Sequence, residues 1–143
     1  MLAQKIEQEN TVKIIFNNEE NELQNIISEI INKLVIPVDS VTEIQIYFHV
    51  LKTGFDLFSN LINCFSVCAL LGNIPLKDFI YSVSIKSDNR IGHMVYGQYQ
   101  KKPFNLKLEG SFSDINSIYD ELLEECKKQE KLIKLSVDTI LQK

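Results

Sequence analysis

Glycine and proline are scarce in this sequence, which has five glycines and three prolines among its 143 residues. That scarcity excludes a low-complexity linker, and a chain of this length is one domain by the usual size prior. The remaining composition, 45% hydrophobic and 24% charged residues, is ordinary for a globular protein. We therefore expect residues 1–143 to form a single domain that buries a core without disulfide or metal staples.

An excess of positive charge is also absent, because 19 acidic residues outnumber 15 basic ones and give a formal net charge of -4. This excludes the general electrostatic footprint of a strong nucleic-acid binder, although it does not exclude a local basic patch. The first ten residues, MLAQKIEQEN, are polar and charged and do not resemble a secretory signal peptide. We expect residues 1–10 to be disordered or to form a short helical lead-in.

Cysteine and histidine are few: the cysteines are Cys64, Cys68 and Cys126, and the histidines are His49 and His93. An odd number of cysteines without framework spacing predicts reduced, buried thiols in a cytosolic or nuclear protein. The alternative is that Cys64 and Cys68, four residues apart, hold a metal as a pair. Nothing else in the sequence supplies nearby ligands, so we favour core packing and expect no metal site and no cofactor.

The most prominent stretch that is present is apolar and spans residues 55–75, FDLFSNLINCFSVCALLGNIP. Its apolar residues recur at helical spacing and occupy nearly the whole circumference, which predicts a helix covered by other elements on several faces. Gly54 can start this helix and Gly72 can end it, with Pro75 just beyond. A length of roughly 18 residues with polar interruptions argues against a membrane span.

Shorter patterns on either side predict the other elements of the fold. β-Branched and aromatic runs predict strands, and apolar residues at a spacing of three and four predict helices. The predicted strands span 11–16, 44–51, 79–85, 91–96 and 104–108, with a turn at 86–90 and helices over 17–34 and 114–141. Along the last helix the predicted buried stripe consists of Ile115, Ile118, Tyr119, Leu122, Cys126, Ile133, Val137 and Ile140. This order predicts an α/β protein, a two-layer sandwich with helices packed on a sheet.

The stretch from residue 44 to residue 85 resembles proteins of the RNase PH fold. That family runs a strand into a turn, then a helix with a characteristic asparagine, then Gly-Ile-Pro and a short linker into the next strand. Here Asn63 stands at the helix asparagine, residues 72–75 (GNIP) match the helix exit, and residues 76–78 match the linker. The likeness continues more weakly into residues 11–17, the predicted helix at 23–34, residues 87–88 and the helix start at 110–114. It implies a mixed β-sheet with helices packed on it and with the family's N-terminal strands shortened.

The resemblance also implies that the catalytic positions of the family are replaced. In active members a Gly-Thr-Arg type segment opens the central helix and binds phosphate, and the equivalent residues here are Asp56, Leu57 and Phe58. Active members also carry two aspartates six residues apart, and Asp88 takes the first place while Met94 takes the second. Apolar groups cannot hold phosphate, a carboxylate repels it, and a thioether cannot exchange a proton. We therefore expect no enzymatic activity.

Among RNase PH-like proteins the sequence is most similar to the non-catalytic ring subunits of the eukaryotic RNA exosome. The resemblance implies an inert structural subunit that supports 3'-to-5' RNA processing and degradation, including rRNA processing, in the nucleus, nucleolus and cytoplasm. The implied partners are other RNase PH-like subunits in a hexameric ring, RNA-binding cap proteins, an associated ribonuclease and the threaded RNA, with no membrane. The candidate contacts to the RNA backbone are Lys86, Arg90, Lys101 and Lys102.

Other interpretations of the same sequence stay open at this point. The four basic residues are more simply explained as solvated loop charges. The chain could also be an active phosphorolytic 3' exoribonuclease or nucleotidyltransferase whose phosphate site is built from other residues. A third alternative is an α/β protein-interaction adaptor unrelated to RNA.

Overall fold

The computed structural model describes residues 12–17, 21–36, 43–87, 90–110 and 114–142. The predictions for residues 1–10 and for the Asp88 position lie outside these ranges. The chain divides into two compact units, the first comprising Met1–Lys52 and Ile74–Lys77 and the second Thr53–Asn73 and Asp78–Lys143. A single domain over the whole chain stays a prediction.

The first unit is a strand-helix-strand arrangement. Strand β1 (Val12–Phe16) and strand β2 (Ile44–Phe48) pair in parallel, with helix α1 (Asn21–Leu34) between them in the chain. The helix buries residues at a spacing of three and four, as its sequence pattern predicts: Ile27, Ile30, Ile31 and Leu34. The faces of β2 alternate, since Gln45 and Tyr47 are exposed while Phe48 is buried.

Asn17 is not a helix start, and here the sequence prediction is wrong. Its backbone N–H donates to the carbonyl of Phe48 at 3.2 Å, and its side-chain Oδ1 accepts from the N–H of Val50 at 2.8 Å. Asn17 therefore extends the pairing of β1 with the chain after β2, because its short amide side chain can substitute for a backbone group. Helix α1 begins at Asn21, and β2 ends at Phe48 rather than at residue 51.

The second unit contains a three-stranded antiparallel sheet and two helices. The elements are helix α2 (Leu57–Leu71), strands β3 (Ile80–Ser87), β4 (Arg90–Gly97) and β5 (Lys102–Glu109), and helix α3 (Ile115–Leu141). The strand order is β3-β4-β5. The expected hairpin is confirmed, but its turn is shorter than residues 86–90, because Ser87 already pairs with Arg90.

Helices α2 and α3 lie on opposite faces of this sheet. On one face, Tyr81 of β3 and Met94 of β4 form an apolar cluster with Leu122 and Cys126 of α3. Ser82 of β3 points the other way, as alternation along a strand requires, and hydrogen-bonds to α2. The packing of helices on a sheet is thus as predicted, with the sheet of this unit between the two helices.

Helix α2 is less enclosed than its apolar sequence predicts. Phe58, Leu61, Ile62, Phe65 and Ala69 are buried, as expected of a central helix. The face turned away from the sheet is nevertheless exposed, and it carries Cys64 and Cys68. The prediction of buried thiols is therefore wrong for these two cysteines and confirmed for Cys126. No helix within the described ranges is long and apolar enough to cross a membrane.

Helix α3 begins after Asp114, whose carboxylate caps it by accepting the N–H groups of Asn116 and Ser117 at 3.1 and 3.3 Å. The predicted buried stripe is correct in the middle of the helix but wrong at both ends, because Ile115 and Ile140 are exposed. The reason is length: 27 helical residues span about 40 Å, whereas a strand of eight residues spans about 27 Å. The helix ends therefore have no sheet beneath them.

Candidate functional site

The four basic residues predicted to contact RNA do not form one cluster. Lys86 lies near the end of β3 and Arg90 opens β4, at the tip of the first hairpin. Lys101 lies in the turn before β5, and Lys102 opens that strand and pairs with Gly97. Strands of eight residues separate the two ends of the sheet by about 27 Å. The sequence prediction therefore corresponds to two separate pairs of cations.

The register of the hairpin also places Lys86 and Arg90 on opposite faces of the sheet. Directly opposed residues share a face, and Lys86 pairs with Ile91 while Ser87 pairs with Arg90. The Lys86 ammonium lies 5.8 Å from the centre of the Phe55 ring. Arg90 instead lines a shallow pocket beside α3.

That pocket is a poor anion site, because its lining includes two acidic residues. Asp114, which caps α3, and Glu121 of α3 stand with Arg90, together with Ser87 and Ser117. Two carboxylates offset the charge of one guanidinium, so the local potential does not favour a phosphate.

At the other end of the sheet, Lys101 also has an acidic neighbour, Glu130. The carboxylate of Glu130 on α3 accepts from Lys134 at 2.9 Å and from the hydroxyl of Tyr81 at 3.1 Å. The hydrogen bond from Lys134 lowers the pKa of Glu130 most, and the charge of Lys101 contributes to the same direction. Lys102 is exposed.

The positions that correspond to catalytic residues of active family members are not brought together either. Leu57 and Phe58 open α2 on one face of the sheet, whereas Met94 is fully buried on the face that packs against α3. Phe58 packs edge-on against the His93 ring with the ring centres 5.5 Å apart. Asp88 lies outside the described residues. The absence of catalysis stays a prediction.

A buried polar network beneath α2 was missed by the sequence analysis. Ser59 of α2 lies 2.8 Å from the hydroxyl of Ser82 and 2.6 Å from that of Ser84. Ser84 is in turn 2.6 Å from Nδ1 of His93. Asn63 donates to the carbonyl of Ser82 at 2.8 Å and accepts from its N–H at 2.7 Å.

Two patterns in the sequence could have revealed this network. Ser59, Asn63 and Ser66 recur at helical spacing on one face of α2. Ser82 and Ser84 alternate along β3. A polar stripe on a helix that matches a polar stripe on a strand indicates hydrogen bonding between the two elements.

The network is suited to fixing α2 on β3. His93 is only 3% exposed. Burial lowers the pKa of His93, with Lys107 acting in the same direction and Glu109 and Asp56 opposing it. The hydroxyl groups of the network are hydrogen-bonded to one another and to His93. Such a satisfied network specifies one arrangement of helix and sheet.

No protein-family model matches the sequence, and no curated protein matches it. The crystal structure of Rrp46 from rice (Oryza sativa) is similar in three dimensions, with a TM-score of 0.72 and 14% sequence identity. The superposition covers 92% of this chain and 73% of the rice chain. The protein therefore has the RNase PH-like fold, in agreement with the resemblance that its sequence carries around Asn63.

Proposed function

We propose that this chain is a catalytically inert structural subunit of an RNA exosome ring that supports 3'-to-5' RNA processing and degradation. The observation that carries the proposal is the likeness of its fold to rice Rrp46, an RNase PH-like subunit of the exosome ring. Because a fold alone does not determine a function, the proposal also uses the chemistry at the start of α2.

The start of α2 supports the absence of phosphorolysis. Phosphate must be held there by cations or hydrogen-bond donors if it is to attack the RNA. The helix instead opens with the carboxylate of Asp56, followed by the apolar Leu57 and the buried Phe58. The Lys107 ammonium lies 6.0 Å from the centre of the Phe58 ring, and it is already paired with Glu109 at 3.4 Å. This arrangement offers little to a phosphate dianion.

The proposed partners follow from the ring. The chain would form a heterodimer with another RNase PH-like subunit within a hexamer that carries RNA-binding cap proteins and an associated ribonuclease. RNA would pass through this ring without base-specific recognition. We propose the nucleus, nucleolus and cytoplasm as its locations, and a fluorescent fusion confined to another compartment would contradict that part.

The decisive experiment is purification of the tagged chain from its own cells, with quantitative mass spectrometry. We expect other RNase PH-like subunits and cap proteins in amounts comparable to the tagged chain. A matched control is Leu122→Asp, which places a charge in the apolar cluster beneath α3 and should abolish the fold. Recovery of none of these proteins with the unaltered chain would overturn the ring proposal.

A separate assay tests the absence of activity. The pure chain is incubated with single-stranded RNA and inorganic phosphate, and nucleoside diphosphates are measured. We expect no phosphate-dependent shortening of the RNA. Shortening would establish an active phosphorolytic exoribonuclease and refute the inert assignment, whereas the ring proposal would still be decided by the purification. If no ring or cap proteins are recovered and the RNA is not shortened, the adaptor unrelated to RNA would be favoured.

A further inference from the structure

Two cysteine thiols stand together on the surface of the protein. Cys64 and Cys68 are both exposed, and they are four residues apart on α2. Residues at this spacing are neighbours on one helix face, with Cβ atoms about 5–6 Å apart. The third cysteine, Cys126, is fully buried on α3 and contacts Met94 of β4. The exposed pair is therefore a two-sulfur site, and the buried cysteine is not part of it.

The helix that carries the pair contains no formal charge. Helix α2 has no acidic or basic residue anywhere in its sequence, LFSNLINCFSVCALL. Although the Cys64 thiol is exposed, neighbouring atoms remove part of its hydration, and this desolvation raises its pKa, with a further increase from Cys68. The raised pKa keeps the Cys64 thiol protonated at neutral pH, a state that disfavours redox or nucleophilic chemistry at that sulfur. A cation between the two sulfurs removes the repulsion that opposes their ionisation.

The number of donors determines the kind of ion. Structural zinc takes four ligands in a tetrahedron, and the described part of the chain contains no group of three or more cysteine, histidine or acidic side chains placed to hold a metal. Two thiolates suffice for a soft ion of low coordination number, and soft thiolate ligands select monovalent copper. We propose that Cys64 and Cys68 form a two-thiolate binding site for a soft monovalent metal ion of the Cu(I) class.

Binding at this site balances without any change of oxidation state. One Cu(I) ion forms two Cu–S bonds, and the two thiols release two protons to solvent. Because protons and metal compete for the same sulfurs, affinity increases with pH. A disulfide is not the expected alternative, since the Cβ atoms of a disulfide are about 3.8 Å apart and the helix would have to open.

The test is a titration of the full reduced chain, under exclusion of oxygen, with Cu(I) held by a chromogenic competitor. We expect one ion per chain and tighter binding at higher pH. Cys64→Ser and Cys68→Ser should each weaken binding by at least about tenfold, since even the loss of groups that only orient metal ligands costs 10–100-fold. Cys126→Ser is the matched control and should leave the affinity unchanged if it folds.

A second measurement removes the dependence on variants. Alkylation of the native chain modifies the two exposed thiols and spares the buried Cys126, as mass spectrometry of the peptides would verify. Loss of the Cu(I) site after this treatment supports the proposal. Unchanged Cu(I) binding by the alkylated chain, or by a variant that combines Cys64→Ser with Cys68→Ser, would overturn it. One ion per two chains, with a doubled mass in solution, would also overturn it by showing that copies are bridged.

Discussion

Asn63 joins α2 to β3 through both polar groups of its side chain. Its amide donates to the carbonyl of Ser82 and accepts from the N–H of the same residue, at 2.8 and 2.7 Å. These are the two bonds that a neighbouring strand would make, and Ser66 similarly donates to the carbonyl of Ile80 at 2.5 Å. Side chains of α2 thus provide hydrogen-bond partners for backbone groups of Ser82 and Ile80 in β3. The residue that carried the sequence resemblance therefore has a physical role in the fold.

Replacement of Asn63 by alanine should destabilise the protein by about 2–3 kcal/mol, because two hydrogen bonds are lost and two backbone groups are left without partners. Urea unfolding followed by circular dichroism measures this change. The matched control is Asn60→Ala on the exposed face of the same helix, which should change the free energy of unfolding by less than about 0.5 kcal/mol. Equal effects of the two substitutions would show that the Asn63 contacts contribute nothing.

His93 should make stability depend on pH near neutrality. Burial lowers the pKa of His93 below the 6.5 of a free imidazole, so the unfolded chain binds its proton at a higher pH than the folded chain. With respect to His93, the free energy of unfolding is therefore at its maximum above pH 6.5. It decreases as the pH falls below 6.5 toward the pKa of the folded state. Measurement of unfolding in urea at a series of pH values between about 7.5 and 5.5, above the range of ordinary carboxylates, reveals this slope.

Two substitutions assign the slope to the buried ring. His93→Gln should flatten the decrease in stability across this pH range, whatever it does to the stability itself. His49→Gln, at an exposed position after β2, should leave the slope as it is in the parent protein. A slope that persists in the His93→Gln variant would contradict the role of His93.

At the scale of elements, the turn between β4 and β5 depends on a buried carboxylate. Asp78 is 2% exposed, and it accepts the backbone N–H groups of Tyr99 at 2.8 Å and Gln100 at 3.4 Å. A Cβ atom at Gly97 would overlap Oδ2 of Asp78. The turn also contains Lys101 with a positive φ of 52°. The glycine is therefore required by the close approach of the carboxylate.

Gly97→Ala should displace Asp78 and destabilise the protein by about 2–4 kcal/mol, since buried hydrogen bonds to a charged group are lost. Thermal unfolding measures the effect as a lower Tm. The control is Gly54→Ala, where the nearest atom to the new Cβ is a carboxylate oxygen of the exposed Asp56 at 3.2 Å. This side chain can move, so little change is expected. A Gly97→Ala variant as stable as the parent would mean that Asp78 does not hold the turn.

The helices and strands could be predicted from the sequence because periodicity reports local structure. Helix α2 falls within the apolar stretch at 55–75, and each predicted strand overlaps an observed one. Periodicity does not show how many faces of an element are buried against the rest of the protein. An apolar helix looks the same whether all or most of its faces are buried, so Cys64 and Cys68 were wrongly placed inside. The exposed ends of α3 were missed because the sequence of the helix does not reveal the length of the sheet on which it packs.

The candidate site was the least predictable part, because it depends on register. Lys86 and Arg90 are close in sequence, yet direct pairing of Ser87 with Arg90 sends their side chains to opposite faces. Lys101 and Lys102 lie at the far end of the sheet because β4 runs antiparallel to β3 and carries the chain from the first turn to the opposite end. The polar network around His93 depends in addition on which face of α2 meets β3, and only tertiary packing decides this.

At the scale of the whole molecule, the exposed apolar side chains and one sheet edge predict self-association. Asn63 and Ser66 satisfy backbone groups of β3, whereas β5 pairs only with β4 within the described ranges. An open strand edge invites pairing with another chain. On α3, Leu132 and Leu135 are 58% and 64% exposed and lie three residues apart on one helix face. Exposed apolar surface of this kind is typical of proteins that pack against partners.

We therefore expect the isolated chain to self-associate or to require a partner for solubility. Static light scattering over a wide dilution series should give an average mass above the 16.5 kDa of one chain, decreasing on dilution as association reverses. Leu132→Lys combined with Leu135→Lys should lower this mass if the α3 face contributes, whereas Lys128→Ala, at another exposed position of α3, should not. A constant mass of one chain at every concentration would contradict the prediction, because an exposed edge and apolar face would then be tolerated without a partner.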